Sequence, residues 1–477
     1  VRRFLPAAIA AIGLAGTLVA GCDRRPPVPP PPKNVIVINV DTLRADHLGC
    51  YGYLRDTSPF IDSLAAAGVR FDEARVNSTF TRESVAALMT GRLPSRSGSM
   101  GWDATPPPGD ATLGRIFERA GYATGFFSAT TMLTDPGFTQ GFQTVRQLTE
   151  RWGASGLGPE LSAAALAFAR AARDRPFLMY VHYLDPHGPY DPTPAHLRKF
   201  APAPLPSPLG LYADVRSRLA ELVAEGFGPG EARFDDMVAR YDAEIADTDV
   251  AIAELFAGLD GQGLLDRTIV VLTADHGEEL LDHGFVEHAW TLYEEVLRVP
   301  LVFWPATVLP GLDGRRRAAT VDVLPTLLAL VGIAAPAGLD GRSLLTKGDA
   351  PLVAELAIAE RSVLRTVIDG RWKYVAAAKW LPPPARSAAA RVENDLRRQG
   401  GERGVDRCGP TVHEELYDLV ADPSEHHNRV ADDAGHLEAL RAALAPTLEA
   451  CRAHAAALKD GPSAADRARL RALGYVE

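Results

Sequence analysis

Three clusters of aspartate and histidine each stand at the end of an apolar run. The first is Val40-Asp41-Thr42-Leu43-Arg44. The second is His182-Tyr-Leu-Asp185-Pro-His187, and the third is Thr273-Ala-Asp275-His276-Gly277-Glu278. Carboxylates joined by one imidazole suit a divalent cation such as Ca²⁺, Mg²⁺ or Mn²⁺; two or three histidines shift the preference towards Zn²⁺. A fourth cluster, Asn77 to Arg92, carries Ser78, Thr79, Thr81 and Ser84 ahead of a short amphipathic helix expected to start near Ser84. A helix N-terminus points free N–H groups and a positive dipole end at whatever lies before it, which suits an oxyanion. Each cluster alone reads equally well as turn or cap residues. Three together at strand ends read as a site.

The apolar runs are the elements that must position these residues. Asn34 to Val40, Phe177 to His182 and Thr268 to Thr273 are continuous, as in strands buried on both faces of a parallel sheet. Tyr122 to Ser128 and Leu301 to Trp304 are weaker strands of the same kind. Between them, Tyr241, Ile245, Ile252, Leu255, Phe256 and Leu259 recur on a helical period. The alternation predicts an α/β sandwich, whose ligands bind at the carboxyl ends of its strands. After about Leu345 the texture changes. Ser362 to Ile368, Asp369-Gly370 and Arg371 to Val375 read as strand, turn and strand, with Glu415 to Leu419 a further strand and His436 to Leu458 a helix. The predicted organisation is residues 34–345 as the main domain and 346–477 as a smaller antiparallel-sheet-plus-helix subdomain, with Ala385 to Gly404 a mobile loop.

Composition narrows the function. The 477 residues are 47% hydrophobic and 23% charged, with a formal net charge of −10. These are ordinary globular proportions, and the acidic balance excludes a general nucleic-acid binder. It leaves room for anionic substrates, because a bound cation overrides the global sign locally. Arg2 and Arg3 precede an uncharged run from Leu5 to Ala20, shorter than the roughly 20 residues of a spanning helix. The run ends in Leu18-Val-Ala-Gly-Cys22, which resembles a bacterial lipobox. Residues 1–22 are therefore expected to be a lipoprotein signal, with Cys22 lipidated, and residues 23–33 a stiff Pro-rich spacer. The expected location is the bacterial cell envelope, in the periplasm or at the cell surface. Export leaves Cys408–Cys451 open as a disulfide, with Cys50 as a buried thiol.

Taken in order, the motifs resemble those of the sulfatase family, within the alkaline-phosphatase superfamily. They run from Asn34 to the end. Asn34 to Gly52 follows the N-terminal signature, and Thr81 to Arg92 with Leu-Pro-Ser-Arg follows the nucleophile region. Asp185-Pro-His187-Gly-Pro-Tyr190 follows the substrate-histidine motif. Thr273 to Glu278, Asp282-His283-Gly284 and Thr291 to Leu301 follow the metal segment. Val321 to Leu327 and Glu415 to Leu419 with Asp422-Pro-Ser-Glu follow the C-terminal markers. The resemblance implies a large mixed, mostly parallel sheet sandwiched by helices.

The departures bear on mechanism. Counting back from Leu88-Met-Thr-Gly91, Thr81 occupies the position that becomes formylglycine in most sulfatases, and Glu83, Ser84 and Val85 stand at the Pro, Ser and Arg positions that follow. Threonine gives no such aldehyde, so no formylglycine is expected. Thr42 replaces the second aspartate of the usual pair, and His288 stands where a lysine is expected. Threonine nucleophiles are familiar in relatives that cleave or transfer phosphate esters. The resemblance implies one divalent cation on Asp41, Thr81, Asp275 and His276, with a second metal left open. Thr81 is the expected nucleophile. Arg82, Asp185, His187 and His288 are expected to bind substrate, with His187 and His288 also catalytic. His288 is read as a substrate cation, a general acid or a ligand of a second metal. The expected activity is hydrolysis of a small or polymeric sulfuric or phosphoric ester. The alternatives are a group transferase and a non-catalytic surface binding protein on the same fold.

Overall fold

The computed structural model describes residues 34–459, apart from 102, 110, 149–155, 202, 206–214, 359–361 and 380–407. The expected signal, Cys22, the Pro-rich spacer and the loop at Ala385 to Gly404 lie outside the described residues.

The central sheet has seven strands. Those that matter here are β1 (Asn34–Val40), β2 (Ala123–Ser128), β3 (Thr144–Gln147), β4 (Phe177–Tyr183), β5 (Thr268–Ala274) and β6 (Leu301–Trp304). A short edge strand, Val69–Arg70, pairs with β6, and the order continues β5-β1-β4-β2-β3. β1 lies at the centre and pairs in parallel with both β4 and β5. Only β6 runs against the rest; the short edge strand, antiparallel to β6, shares the direction of the others. Every residue of β1, β4 and β5 is buried, which is why these strands read as unbroken apolar runs.

Register carries the clusters together. Val40 sits opposite Tyr183 on one side and Ala274 on the other. The next residues, Asp41 and Asp275, therefore leave two adjacent strands at one level, and the loop after Tyr183 rises beside them.

Two helices fix this edge. α1 (Thr81–Thr90) is buried along its whole length. It starts three residues earlier than Ser84, so Thr81 is its first residue and Phe80 its cap. α2 (Ala232–Gly261) contains the predicted Tyr241–Leu259 stripe, all of it buried. The Tyr241 hydroxyl donates to the Thr42 carbonyl at 2.7 Å and accepts from the Arg44 amide at 3.0 Å, which ties down the turn after β1. Asp249 of the same helix accepts the amides of Phe60 and Ile61 at 2.9 and 2.7 Å, serving the N-terminus of the helix Pro59–Ala67.

The C-terminal antiparallel sheet has four strands in chain order: β7 (Leu352–Ile358), β8 (Ser362–Asp369), β9 (Trp372–Lys379) and β10 (His413–Asp418). The predicted Asp369-Gly370 turn joins β8 to β9, with Gly370 at φ 60°. Leu437, Leu440 and Leu444 of α3 (Ala434–Lys459) pack on Val367, Tyr374 and Leu416. Cys408 and Cys451 form a disulfide. Cys50 is free and only half-buried, short of the full burial expected.

Candidate active site

The Asp41 and Asp275 carboxylates are each held at one oxygen and left open at the other. His182 Nδ1 receives Asn39 Nδ2 and the Tyr180 hydroxyl lies 3.0 Å away, so its Nε2–H donates to Asp41 Oδ2 at 3.3 Å. Asp275 Oδ1 accepts the amides of His276 at 3.1 Å and Thr42 at 3.3 Å. Asp41 Oδ1 and Asp275 Oδ2 have no hydrogen-bond partner among the described residues, though both side chains are buried. Thr42 bends through φ 55° to make its contact, a left-handed conformation that costs a non-glycine residue free energy.

His276 completes the set. Its Nδ1 lies 2.9 Å from the Gly277 carbonyl, which can only accept, so the proton sits on Nδ1 and Nε2 presents a lone pair. That lone pair faces the two open oxygens, Asp41 Oδ1 at 3.8 Å and Asp275 Oδ2 at 3.6 Å. Three electron-rich atoms converging in a buried space call for a positive charge between them, so these residues fit a divalent cation. Burial pushes the Asp275 carboxyl up, and the Asp41 charge adds to it. Burial acts the same way on Asp41, but the His182 hydrogen bond and the fields of His187, His182 and His276 outweigh it and hold that carboxyl below the usual range.

Thr81 Oγ1 stands 3.1 Å from His276 Nε2, at the first turn of α1. With the lone pair on Nε2, the hydroxyl is the donor. Glu83, two residues on, anchors the helix from behind. It accepts from Ser78 Oγ at 2.7 Å and from the amides of Gly101 at 2.5 Å and Ala357 at 3.2 Å, and burial raises it to about 8.

The remaining histidines form a wall. The His288 ring lies 4.3 Å from His276 and 5.0 Å from His187, centroid to centroid. His187 Nδ1 donates to the Gly188 carbonyl at 2.7 Å, and His288 Nδ1 lies 2.9 Å from Glu278 Oε1. All three imidazoles thus have Nδ1 tied to an acceptor. Glu278 is buried and takes the Tyr190 hydroxyl on its other oxygen at 3.0 Å. The substrate-histidine motif and the metal segment are therefore joined through Tyr190, Glu278 and His288. Gly277 permits this folding-back. Its amide donates to the Val296 carbonyl at 2.9 Å, and a Cβ there would lie 2.0 Å from the Glu295 carbonyl oxygen.

Two expected substrate contacts are placed elsewhere. The Arg82 guanidinium turns away, donating to the carbonyls of Ala104 and Met132 at 2.8 Å each and to Asp135 at 2.5 Å, with its carbon 5.4 Å above the Phe138 ring. It follows Thr81 in a helix, and successive helical side chains face different directions. Asp185 accepts the Gly156 amide at 2.8 Å, and its carbonyl takes the Thr248 hydroxyl at 3.0 Å. Burial lifts its carboxyl to about 7. It seats the His187 loop on α2. Arg44 is similarly structural: it clamps Asp46, Asp282 and the Glu278 carbonyl.

A helix-borne hydroxyl beside three buried residues that could hold a cation, gathered at the carboxyl edge of a mostly parallel sheet, marks a sulfatase-like ester hydrolase with the alkaline-phosphatase-like fold. The sulfatase family profile matches residues 33–333, and the chain belongs to that family. It is 27% identical to human arylsulfatase A over 85% of this chain and 84% of that one. It is 23% identical to an N-acetylglucosamine-6-O-sulfatase of Bacteroides thetaiotaomicron, over 87% and 86% of the two chains. Among solved structures, a 2-O GAG sulfatase matches with a TM-score of 0.65 at 22% identity, over 90% of this chain and 94% of that one. The phosphonate monoester hydrolase of Agrobacterium radiobacter matches with a TM-score of 0.64 at 20% identity, over 89% and 96%.

Proposed function

We propose that the chain hydrolyses a sulfuric or phosphoric ester by attack of Thr81, through a covalent sulfo- or phospho-threonine. The observation that carries this reading is the Thr81 hydroxyl, 3.1 Å from His276 Nε2 and placed on a helix N-terminus beside the open oxygens of Asp41 and Asp275. Asp41, Asp275, His276 and Thr81 would hold the cation, with Ca²⁺, Mg²⁺ or Mn²⁺ as candidates. Bound there, it supplies charge that favours loss of the Thr81 proton and neutralises the ester oxygens.

The residues of the chain divide the rest. The Thr81 oxygen forms a bond to sulfur or phosphorus as the bond from that atom to the leaving oxygen breaks. Doubly protonated His288, oriented by Glu278, gives a proton to the leaving alkoxide. Neutral again, it takes one from the water whose oxygen bonds to sulfur or phosphorus as the bond to the Thr81 oxygen breaks; the imidazole is thereby reprotonated, and Thr81 leaves as the oxyanion that attacked, its own proton having passed to solvent beforehand. His187 binds non-bridging oxygens of the transferring group. No formylglycine takes part.

The substrate is a small or polymeric anionic ester, and the sulfated-sugar activity named for relatives makes sulfated glycans the first class to try. The Cys22 lipid anchor and the envelope location are carried forward as part of this reading. The Cys408–Cys451 disulfide supports export, since disulfides persist in oxidising compartments. The test is a panel of aryl sulfates, phosphate monoesters, diesters and phosphonates, run with each metal in turn. Turnover of one ester class that requires Thr81 supports hydrolysis. Turnover only when an acceptor alcohol is added favours the transferase.

A further inference from the structure

Beside the catalytic edge lies a second cluster that the proposed reaction does not use. Glu279, His283 and Glu295 each offer a ligand atom, and these atoms lie within 4.8 Å of one another. Glu279 is wholly buried. One of its oxygens accepts the Thr291 hydroxyl, and the other, Oε2, has no hydrogen-bond partner among the described residues. His283 presents Nε2 to the Glu425 carbonyl at 3.4 Å, and that oxygen can only accept. Its Nδ1 lies 2.5 Å from Glu295 Oε1, so the pair shares a proton, and a cation bound here would supply positive charge in that proton's place. The Tyr293 ring, stacked 3.7 Å from the imidazole, fixes its plane.

The surroundings do not supply that charge. Glu294, Glu415 and Glu425 crowd the same region, with Glu415 and Glu425 buried. The nearby fixed cations are Arg44, which pairs with Asp46 and Asp282, Arg75, which pairs with Glu294, and Lys373, which pairs with Glu294 and Glu425. In these ion pairs none of them meets Glu279 or Glu295. A buried excess of carboxylate is costly unless protons or a cation offset it.

We infer that Glu279, His283 and Glu295 form a second, structural cation site, separate from the one at Asp41, Asp275 and His276. Two carboxylates and one imidazole in a largely enclosed space suit Zn²⁺ or Mn²⁺ better than Ca²⁺. Glu279 and Glu295 flank the segment that carries His288, so the ion closes that segment into a loop and holds His288 in place.

The test is a metal count on the full chain, stripped with chelator, loaded with Zn²⁺ or Mn²⁺, desalted and measured by mass spectrometry. Wild type is expected to retain two equivalents. Asp275→Asn, which disables the catalytic set, is expected to retain one. Glu279→Gln and His283→Gln are each expected to lower the affinity of that remaining equivalent at least about tenfold and to remove the metal-dependent rise in Tm. One equivalent that survives Asp275→Asn and is lost in Glu279→Gln supports the site even if the catalytic set binds nothing. If Asp275→Asn retains no metal, a proton alone bridges His283 and Glu295 and the inference is overturned. The Asp275→Asn count decides this even where Glu279→Gln fails to fold.

Discussion

His288, half-buried, and Glu278, buried, form an imidazole–carboxylate pair, Nδ1 to Oε1 at 2.9 Å, at the position where a sulfatase lysine is expected. A lysine would bring a permanent point charge. An imidazole held by a carboxylate brings an oriented ring that can give and take a proton. The Tyr190 hydroxyl on the other Glu278 oxygen locks the carboxylate in turn.

Glu278→Gln should therefore lower kcat by about 10–100-fold while changing KM little, because it disturbs the orientation of His288 without removing it. Steady-state kinetics with good and poor leaving groups checks this. The loss should be larger for the poor leaving group. An equal loss for both would leave Glu278 a purely structural residue.

Metal and activity should fall together at the catalytic edge. Asp275→Asn keeps the shape but removes a charge from a site whose Asp275 Oδ2 has no protein partner among the described residues. Metal affinity and turnover are both expected to drop by at least about 100-fold, since the proposal makes this carboxylate a direct ligand. Chelator should abolish wild-type turnover, and added cation should restore it. Full activity in chelator would contradict the assignment.

Asp249 gives a pH signature far from the chemistry. Burial raises its carboxyl from 3.8 to about 6, against the two amides it accepts. A raised acid pKa means that the folded state holds the proton more tightly. Its contribution to stability is full below about pH 4 and is lost as pH rises through about 6. Between those values the Tm of wild type should decline relative to that of Asp249→Asn, which does not titrate. Parallel Tm curves for the two proteins across this range would contradict the expectation.

The disulfide should matter to stability. It closes a loop with a sequence separation of 43, for which chain entropy predicts roughly 4 kcal/mol. Cys408→Ser, or reduction of the wild type, should lower Tm by several degrees. No change in Tm would show that the bond is not formed in the protein as prepared.

The fold was legible where one physical constraint dominates. Strands β1, β4 and β5 are buried on both faces, so they had to be unbroken apolar runs, and their carboxyl ends had to meet. Asp41, Asp275 and His276 were readable for that reason. The start of α1 was misplaced because hydroxyl residues cluster before Ser84, whereas the first helical residue is Thr81 with an apolar cap, Phe80. Arg82 looked like a substrate contact because it follows Thr81. Only the packing reveals that its guanidinium serves Ala104, Met132 and Asp135. Glu278, Glu83 and His182 went unassigned as supports because their partners, such as Tyr190, Gly101 and Asp41, are distant in sequence. Chain pattern does not encode which buried carboxylate meets which loop. A glutamate following Asp-His-Gly was the available signal for Glu278.

The central claim is that Thr81 is the nucleophile, and Thr81→Ala tests it most directly, alongside Thr81→Ser and intact-mass analysis of wild type caught with a slow substrate. Expected are a fall in turnover of several orders of magnitude for Thr81→Ala with the fold retained, partial activity for Thr81→Ser, and a sulfo or phospho adduct on residue 81 of a wild type that carries no aldehyde. Normal turnover by Thr81→Ala, or an adduct on Ser78, Thr79 or Ser84 instead, would contradict it.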